Sequence, residues 1–199
     1  MNSDPDYFPE QESEDLEHIR SQILLYRSTS LMNDRERARF LGLPEGCRMR
    51  ENAKILNPER LTCGTNVWIG EGAILDAQGG LEVGDNTQIG LSVMVWSHST
   101  HLQALAGQTG RDKELIKYQS TKIGKNTFIA GPSVIGPGVT IGDEVIISPL
   151  SFVERDLPDG AVFSNNRLRR GGDKAIAALT DQVAELRAEL EALKAERSR

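Results

Sequence analysis

An all-β solenoid is the fold this sequence predicts, and three observations predict it. Aliphatic residues recur at every sixth position from Ile123 through Ile129, Ile135, Ile141 and Ile147 to Val153. Gly124, Gly136 and Gly142 directly follow three of them, and Thr127, Ser133, Val139, Val145 and Ser151 stand four places after the first five. The same phase occurs upstream at Ile69, Leu75, Val83, Ile89 and Val95, with a two-residue insertion near Gly79-Gly80. A period of six fits neither the 3.6 of an amphipathic helix nor the 2 of a hairpin strand. Hexad repetition marks a parallel β-helix, in which three hexads close one triangular coil. The aliphatic position points inward, and corner pairs such as Lys125-Asn126 and Gly142-Asp143 accept backbone angles that branched residues avoid. A sandwich of short strands would instead alternate and turn every eight to twelve residues or so.

In chain order, residues 1–46 form an acidic tail followed by helices. Leu16, Ile19 and Ile23 fall at helical spacing after Ser13, with Glu14 and Asp15 in a first turn that suits acids. His18 on that helix reads as a solvated surface residue. A second helix starts at Asn33, with Glu36 completing a capping box, and stops near Gly42. These helices cover an end of the column that would otherwise expose apolar side chains and strand edges. The column itself spans 47–158, with Cys47 and Cys63 filling its first turns. Trp68 is off the inward phase, on an outer face or a subunit contact. The hexad count breaks near Gly79-Gly80, and insertions in solenoids emerge as loops, often on the binding side. Asp76 is therefore a candidate acceptor contact.

After Val95 the count stops until Ile123, and the interval holds His98, His101 and an excursion loop, 102–120. Loops of this length inside a compact domain tend to be functional. This one carries Arg111, Lys113, Lys117 and Tyr118. Residues 159–172 read as a basic connector with Arg167, Arg169 and Arg170. In 173–199, Ile176, Leu179, Val183, Leu186, Leu190 and Leu193 make an a/d seam for a coiled-coil helix.

A chain of 199 residues and net charge −6 accommodates one substantial core plus appendages and argues against nucleic acid as a partner. Two cysteines without metal-ligand spacing make neither a disulfide framework nor a metal site. No apolar run is long enough for a membrane span, and the polar, acidic start is unlike a signal peptide, so the expected location is cytoplasmic.

The hexads, the break Trp96-Ser97-His98-Ser99-Thr100-His101 and the end Phe152-Val153-Glu154-Arg155-Asp156-Leu157-Pro158 resemble the hexapeptide-repeat acyltransferases. The likeness is to their galactoside, maltose and polysaccharide O-acetyltransferase branch and covers about 43–170. It implies a left-handed coil, a homotrimer with active sites between neighbouring columns, acetyl-CoA as donor and a carbohydrate acceptor. Family members carry His-x-x-His at the break with the second histidine as base. That points here to His101 as the base, with His98 the other candidate or an orienter of the acceptor. The donor groove of the family maps onto Gly131, Ser148, Pro149 and Arg155. Arg167 is the remaining phosphate contact, in Ser164-Asn165-Asn166-Arg167, which lacks the family's proline.

Transfer of an acyl group from a thioester to a hydroxyl needs a base near neutral pH, for which histidine is suited, and fixed N–H donors for the oxyanion. It needs no metal and no covalent enzyme intermediate. The rival readings are N-acylation of a nucleotide-linked amino sugar and a non-catalytic trimeric scaffold. A β-helix carbonic anhydrase would need three histidines around zinc, and His18 is the only third.

Overall fold

The computed structural model describes residues 31–108 and 113–169, together with Val183, Leu186 and Arg187. The expected helix from Ser13, His18 and most of the C-terminal seam lie outside the described residues; Val183 and Leu186 are helical and exposed. The chain winds as a parallel β-solenoid with three faces. The first face stacks β1 (Arg48–Met49), β4 (Trp68–Ile69), β7 (Gln88–Ile89), β12 (Phe128–Ile129), β15 (Ile146–Ile147) and β17 (Val162–Ser164). The second stacks β2 (Lys54–Leu56), β5 (Ile74–Asp76), β8 (Met94–Val95), β13 (Val134–Ile135) and β16 (Phe152–Val153). The third stacks β3 (Leu61–Cys63), β6 (Leu81–Val83), β11 (Thr121–Ile123) and β14 (Thr140–Ile141), with Leu157 bridging Ile141.

Every coil keeps register with the next, so identical positions pile into columns. Ile69, Ile89, Ile129 and Ile147 pair directly along the first face and are fully buried. The hexad residues Ile123, Ile129, Ile135, Ile141, Ile147 and Val153 are at most 3% exposed. The small residues four places on are buried too, and the serine and threonine hydroxyls among them answer backbone carbonyls. Ser133 Oγ donates to Ala130 O at 2.7 Å, and Ser151 Oγ to Ser148 O at 2.6 Å. Among the described residues, no buried side-chain polar atom lacks a partner.

The edge joining the third face to the first is held by side-chain ladders. Asn66, Asn86 and Asn126 sit in the left-handed region (φ near +55°), which asparagine tolerates. Their amides bond in series at 2.9 and 3.2 Å. Asp85 accepts from the Thr65 N–H at 2.6 Å and from its hydroxyl at 3.0 Å. These two bonds, with a smaller part from the Lys125 charge, hold the Asp85 carboxyl below its ordinary range.

At the N-terminal end, α1 (Asp34–Phe40) starts at Asn33 with a complete Asn33–Glu36 capping box. Its Arg37 is buried and donates to Met49 O and Met32 O, each at 2.6 Å, fixing the helix over the first coil. Cys47 is buried and Cys63 half-buried, both as free thiols. Burial, then Cys47 and Asp85, push the Cys63 thiol up to about 12, far from a reactive thiolate.

The column runs past the expected boundary at 158. Val162–Ser164 adds another rung against β15, and Ala161 and Phe163 are buried. The expected connector then turns back as β18 (Arg167–Arg169), antiparallel to β17. Asn165 and Asn166, both with positive φ, form the two-residue turn that such hairpins favour. No helix among the described residues is long and apolar enough to cross a membrane.

Two stability outcomes follow from this packing. Replacing the fully buried Ile135 by alanine is expected to cost about 2–5 kcal/mol, read as a lower urea midpoint. Because the folded Asp85 titrates below its unfolded value, its contribution is present above about pH 3.9 and is lost as pH falls through the folded value. The midpoint gap between the native chain and Asp85→Asn is therefore expected at pH 7 and narrows by pH 3.

Candidate active site

The edge between the second and third faces is where the chain departs from its coil. In the first coil it carries the short 3-10 turn Pro58–Arg60, in the second Ala77-Gln78-Gly79-Gly80, and in the third the whole of 96–120. The insertion noted in sequence at Gly79-Gly80 and the long excursion thus lie one above the other. Backbone bonds close the excursion on itself and tie its return to the insertion: the Gln119 N–H donates to Ser97 O at 2.8 Å and the Thr121 N–H to Gly80 O at 3.1 Å. Gly79 passes so close that a Cβ there would overlap Ser97 O.

The excursion is more ordered than the plain loop expected from the sequence. After Trp96 it forms β9 (His98–Ser99), then α2 (His101–Leu105) and a 3-10 turn at Lys113–Leu115. It returns as β10 (Lys117–Tyr118), antiparallel to β9. Tyr118 lies opposite His98 and Lys117 opposite Ser99.

Asp76, at the end of β5, is the organising group of this edge. It is 0% exposed. Its Oδ1 accepts the Gln78 N–H at 3.0 Å. Its Oδ2 accepts the Ser97 N–H at 2.9 Å and the Ser97 hydroxyl at 3.2 Å, and lies 2.5 Å from His98 Nδ1. Ser97 is itself buried and accepts the Gly79 N–H at 2.8 Å. Arg60 donates to Gln78 O from the coil below, tying that turn down.

Expected as an acceptor contact, Asp76 is instead sealed beneath the histidine with both oxygens in use, so it has no surface left for a ligand. A carboxylate oxygen accepts, so a neutral His98 imidazole that donates from Nδ1 to Asp76 keeps the lone pair on Nε2. The His98 side chain is 16% exposed, so the imidazole is not sealed from solvent as Asp76 is. His101 is differently placed. It is exposed at the start of α2, and its Nδ1 lies 2.7 Å from Ser99 Oγ.

The residues expected at the donor groove gather elsewhere. Gly131, then Ser148 with Pro149, then Asn166 with Arg167 follow first-face strands in successive rungs, so they climb the edge between the first and second faces. Gly131 approaches Leu91 so closely that a Cβ would overlap Leu91 O, a packing reason for its lack of side chain. Arg155 follows β16, donates to Asn166 O at 3.4 Å and lies 5.9 Å from the Phe163 ring centre. Arg155 and Arg167 are both exposed. Within one chain, then, the histidines stand on the edge that follows the second face, as does the backbone of Arg155, whereas Gly131, Ser148 and Pro149 climb the edge that precedes it.

Residues 120–155 match the family described as bacterial transferase hexapeptide (six repeats). The chain is 31% identical to galactoside O-acetyltransferase of Escherichia coli (strain K12), over 56% of this chain and 56% of that protein. It is 27% identical to the putative colanic acid biosynthesis acetyltransferase WcaF of the same strain, over 59% and 61%. The matches thus span little more than half the length of these curated relatives. A hexapeptide-repeat acetyltransferase of Vibrio cholerae O1 biovar eltor, solved with acetyl coenzyme A, superposes with a TM-score of 0.57. It is 20% identical, with 82% of this chain and 90% of that one covered, and shares the fold. By its repeat, its solenoid and these relatives, the chain carries a hexapeptide-repeat segment over 120–155 and is similar in sequence to a galactoside O-acetyltransferase and a putative colanic acid biosynthesis acetyltransferase.

Proposed function

We propose that this chain is an acyltransferase that moves an acetyl group from acetyl-CoA to a hydroxyl of a sugar or polysaccharide. The observation that carries the reading is the 2.5 Å contact between His98 Nδ1 and the buried Asp76 carboxylate. It fixes the tautomer a general base needs and stabilises the imidazolium that forms during transfer. His98 Nε2 takes the proton of the acceptor hydroxyl as its oxygen attacks the thioester carbonyl. The tetrahedral intermediate then collapses, the C–S bond breaks, and the departing thiolate recovers the proton from His98.

On this geometry His98 is the base, and His101, which the motif alone favoured, is an accessory group. The Ser99 hydroxyl can donate to His101 Nδ1, which leaves Nε2–H as a donor toward acceptor or oxyanion. Gly131, Ser148 and Pro149 form the wall for the pantetheine arm, with Arg155 and Arg167 near the phosphates. The names of the relatives, an acetyltransferase of galactosides and one of colanic acid biosynthesis, support a carbohydrate acceptor.

The separation of the two edges favours a site completed by a neighbouring copy. Leu91, Phe128, Ile146, Leu150 and Phe152 are 43–79% exposed around the first edge and its two faces, an apolar strip suited to self-association. We assign it to a homotrimer of left-handed columns.

Two tests bear on these assignments. Thiol release from acetyl-CoA is measured against a panel of glycosides, oligosaccharides and amino sugars. His98→Ala is expected to lower kcat about 10²- to 10⁴-fold with CoA affinity intact. Asp76→Asn follows it in direction, while His101→Ala changes kcat less than His98→Ala does. Loss of turnover in His101→Ala but not in His98→Ala would overturn the assignment of the base. Separately, Leu150→Glu with Phe152→Glu is expected to reduce the light-scattering mass from three chains to one.

A further inference from the structure

Tyr118 takes no part in the column. Its side chain is 45% exposed on the ribbon formed by the excursion, whereas the inward positions are filled by aliphatics. It pairs directly with His98 across that ribbon, which brings the two side chains to the same side. The ring centres are 6.2 Å apart and the planes tilt by only 30°. An exposed, flat apolar surface therefore stands beside the imidazole.

We propose that Tyr118 is the acceptor platform of the site, receiving the C–H face of a hexopyranose ring. This rests on the reading of His98 as the base for transfer to a sugar hydroxyl. A pyranose has a polar rim of hydroxyls and an apolar face of C–H bonds. Laid on the phenol ring, that face removes apolar area from water, and the rim projects sideways over the imidazole. The arrangement matches the usual division of a small-molecule site into an aromatic wall and a few orienting polar groups. It recognises the ring rather than a particular hydroxyl pattern. Lys117, the neighbouring residue of β10, is exposed on the same ribbon opposite Ser99. Tyr118 is on this view a specificity-determining residue. It acts on acceptor binding and leaves proton transfer at His98 alone.

The test uses the full-length chain, with methyl β-D-galactopyranoside and methyl β-D-glucopyranoside as probes. Binding is followed by saturation-transfer NMR without donor, and turnover by thiol release from acetyl-CoA. Tyr118→Ala is expected to raise the acceptor KM about ten-fold, equivalent to roughly 1.4 kcal/mol. Its kcat stays within about two-fold, its KM for acetyl-CoA is unchanged, and the glycoside signal is lost. Tyr118→Phe and Tyr118→Trp retain both, because the ring face rather than the hydroxyl is used; Tyr118→Leu, which fills space without a flat face, behaves like alanine. Turnover in the native chain with an unchanged acceptor KM in Tyr118→Ala overturns the platform and leaves the acetyltransferase reading standing. Glycoside binding that needs Tyr118, without acetyl transfer to any sugar, upholds the platform and sinks that reading. If the native chain neither binds nor acetylates either glycoside, the platform is refuted.

Discussion

Register along the column is the constraint on which the rest depends. Each coil must return its inward aliphatic to a position directly above the last, as Ile69, Ile89, Ile129 and Ile147 do. Adjacent rungs are only about 4.8 Å apart, and a one-residue slip would turn the aliphatic outward. Extra residues therefore cannot be absorbed within a face. They have to leave at a corner and come back to the same corner. Residues 57–60, 77–80 and 96–120 all do so at one edge. The location of the candidate site follows from the packing of the core.

That edge also explains how a carboxylate can be held with no exposure. Burying an unpaired charge is costly, and removing one partner from a buried pair more so. Asp76 meets two backbone N–H groups, a hydroxyl and an imidazole, three of them brought by Ser97 and His98 from the next coil. The same stacking that aligns the aliphatics sets these donors over the acid. The carboxylate is thus a product of register as much as the core is, and its orientation of His98 needs no movement of the backbone.

Much of this was legible in the sequence, and unevenly so. The hexads revealed the column because a buried aliphatic every sixth residue has no cheaper explanation. The break at His98 and His101 showed where the coil opens. The role of Asp76 was hidden although its signal was present. A coil with a two-residue insertion takes the chain from Ile69 to Ile89, so Asp76 lies beneath Trp96 and next to Ser97. Counting by coils rather than hexads would have brought the acid to the histidine. His101 drew attention through its place in the motif, whereas burial and partners distinguish His98, and neither is visible in composition. The end of the column at 158 was misjudged because Val162 and Phe163 follow a proline- and glycine-rich turn that reads as an exit. Tyr118 is invisible in one dimension, since only the antiparallel return of β10 sets it opposite His98.

The two edges together constrain how the molecule works. The residues expected along the donor groove on the other edge climb toward the C-terminal end of the column, at Ser148, Pro149 and Arg167, whereas His98 belongs to the third coil. Two rungs separate the third coil from the fifth, about 10 Å along the axis. The second face also lies between the two edges. A rigid column cannot bend to close that gap, because every rung is fixed by those above and below it. What such a column can do is present one edge to the other edge of an identical column. The apolar side chains Leu91, Leu150 and Phe152 cluster where that approach would occur, whereas the third face carries the paired charges Glu82 and Lys122. Rigidity, which fixes His98 over Asp76, is therefore the property behind the proposal that a second subunit completes the site.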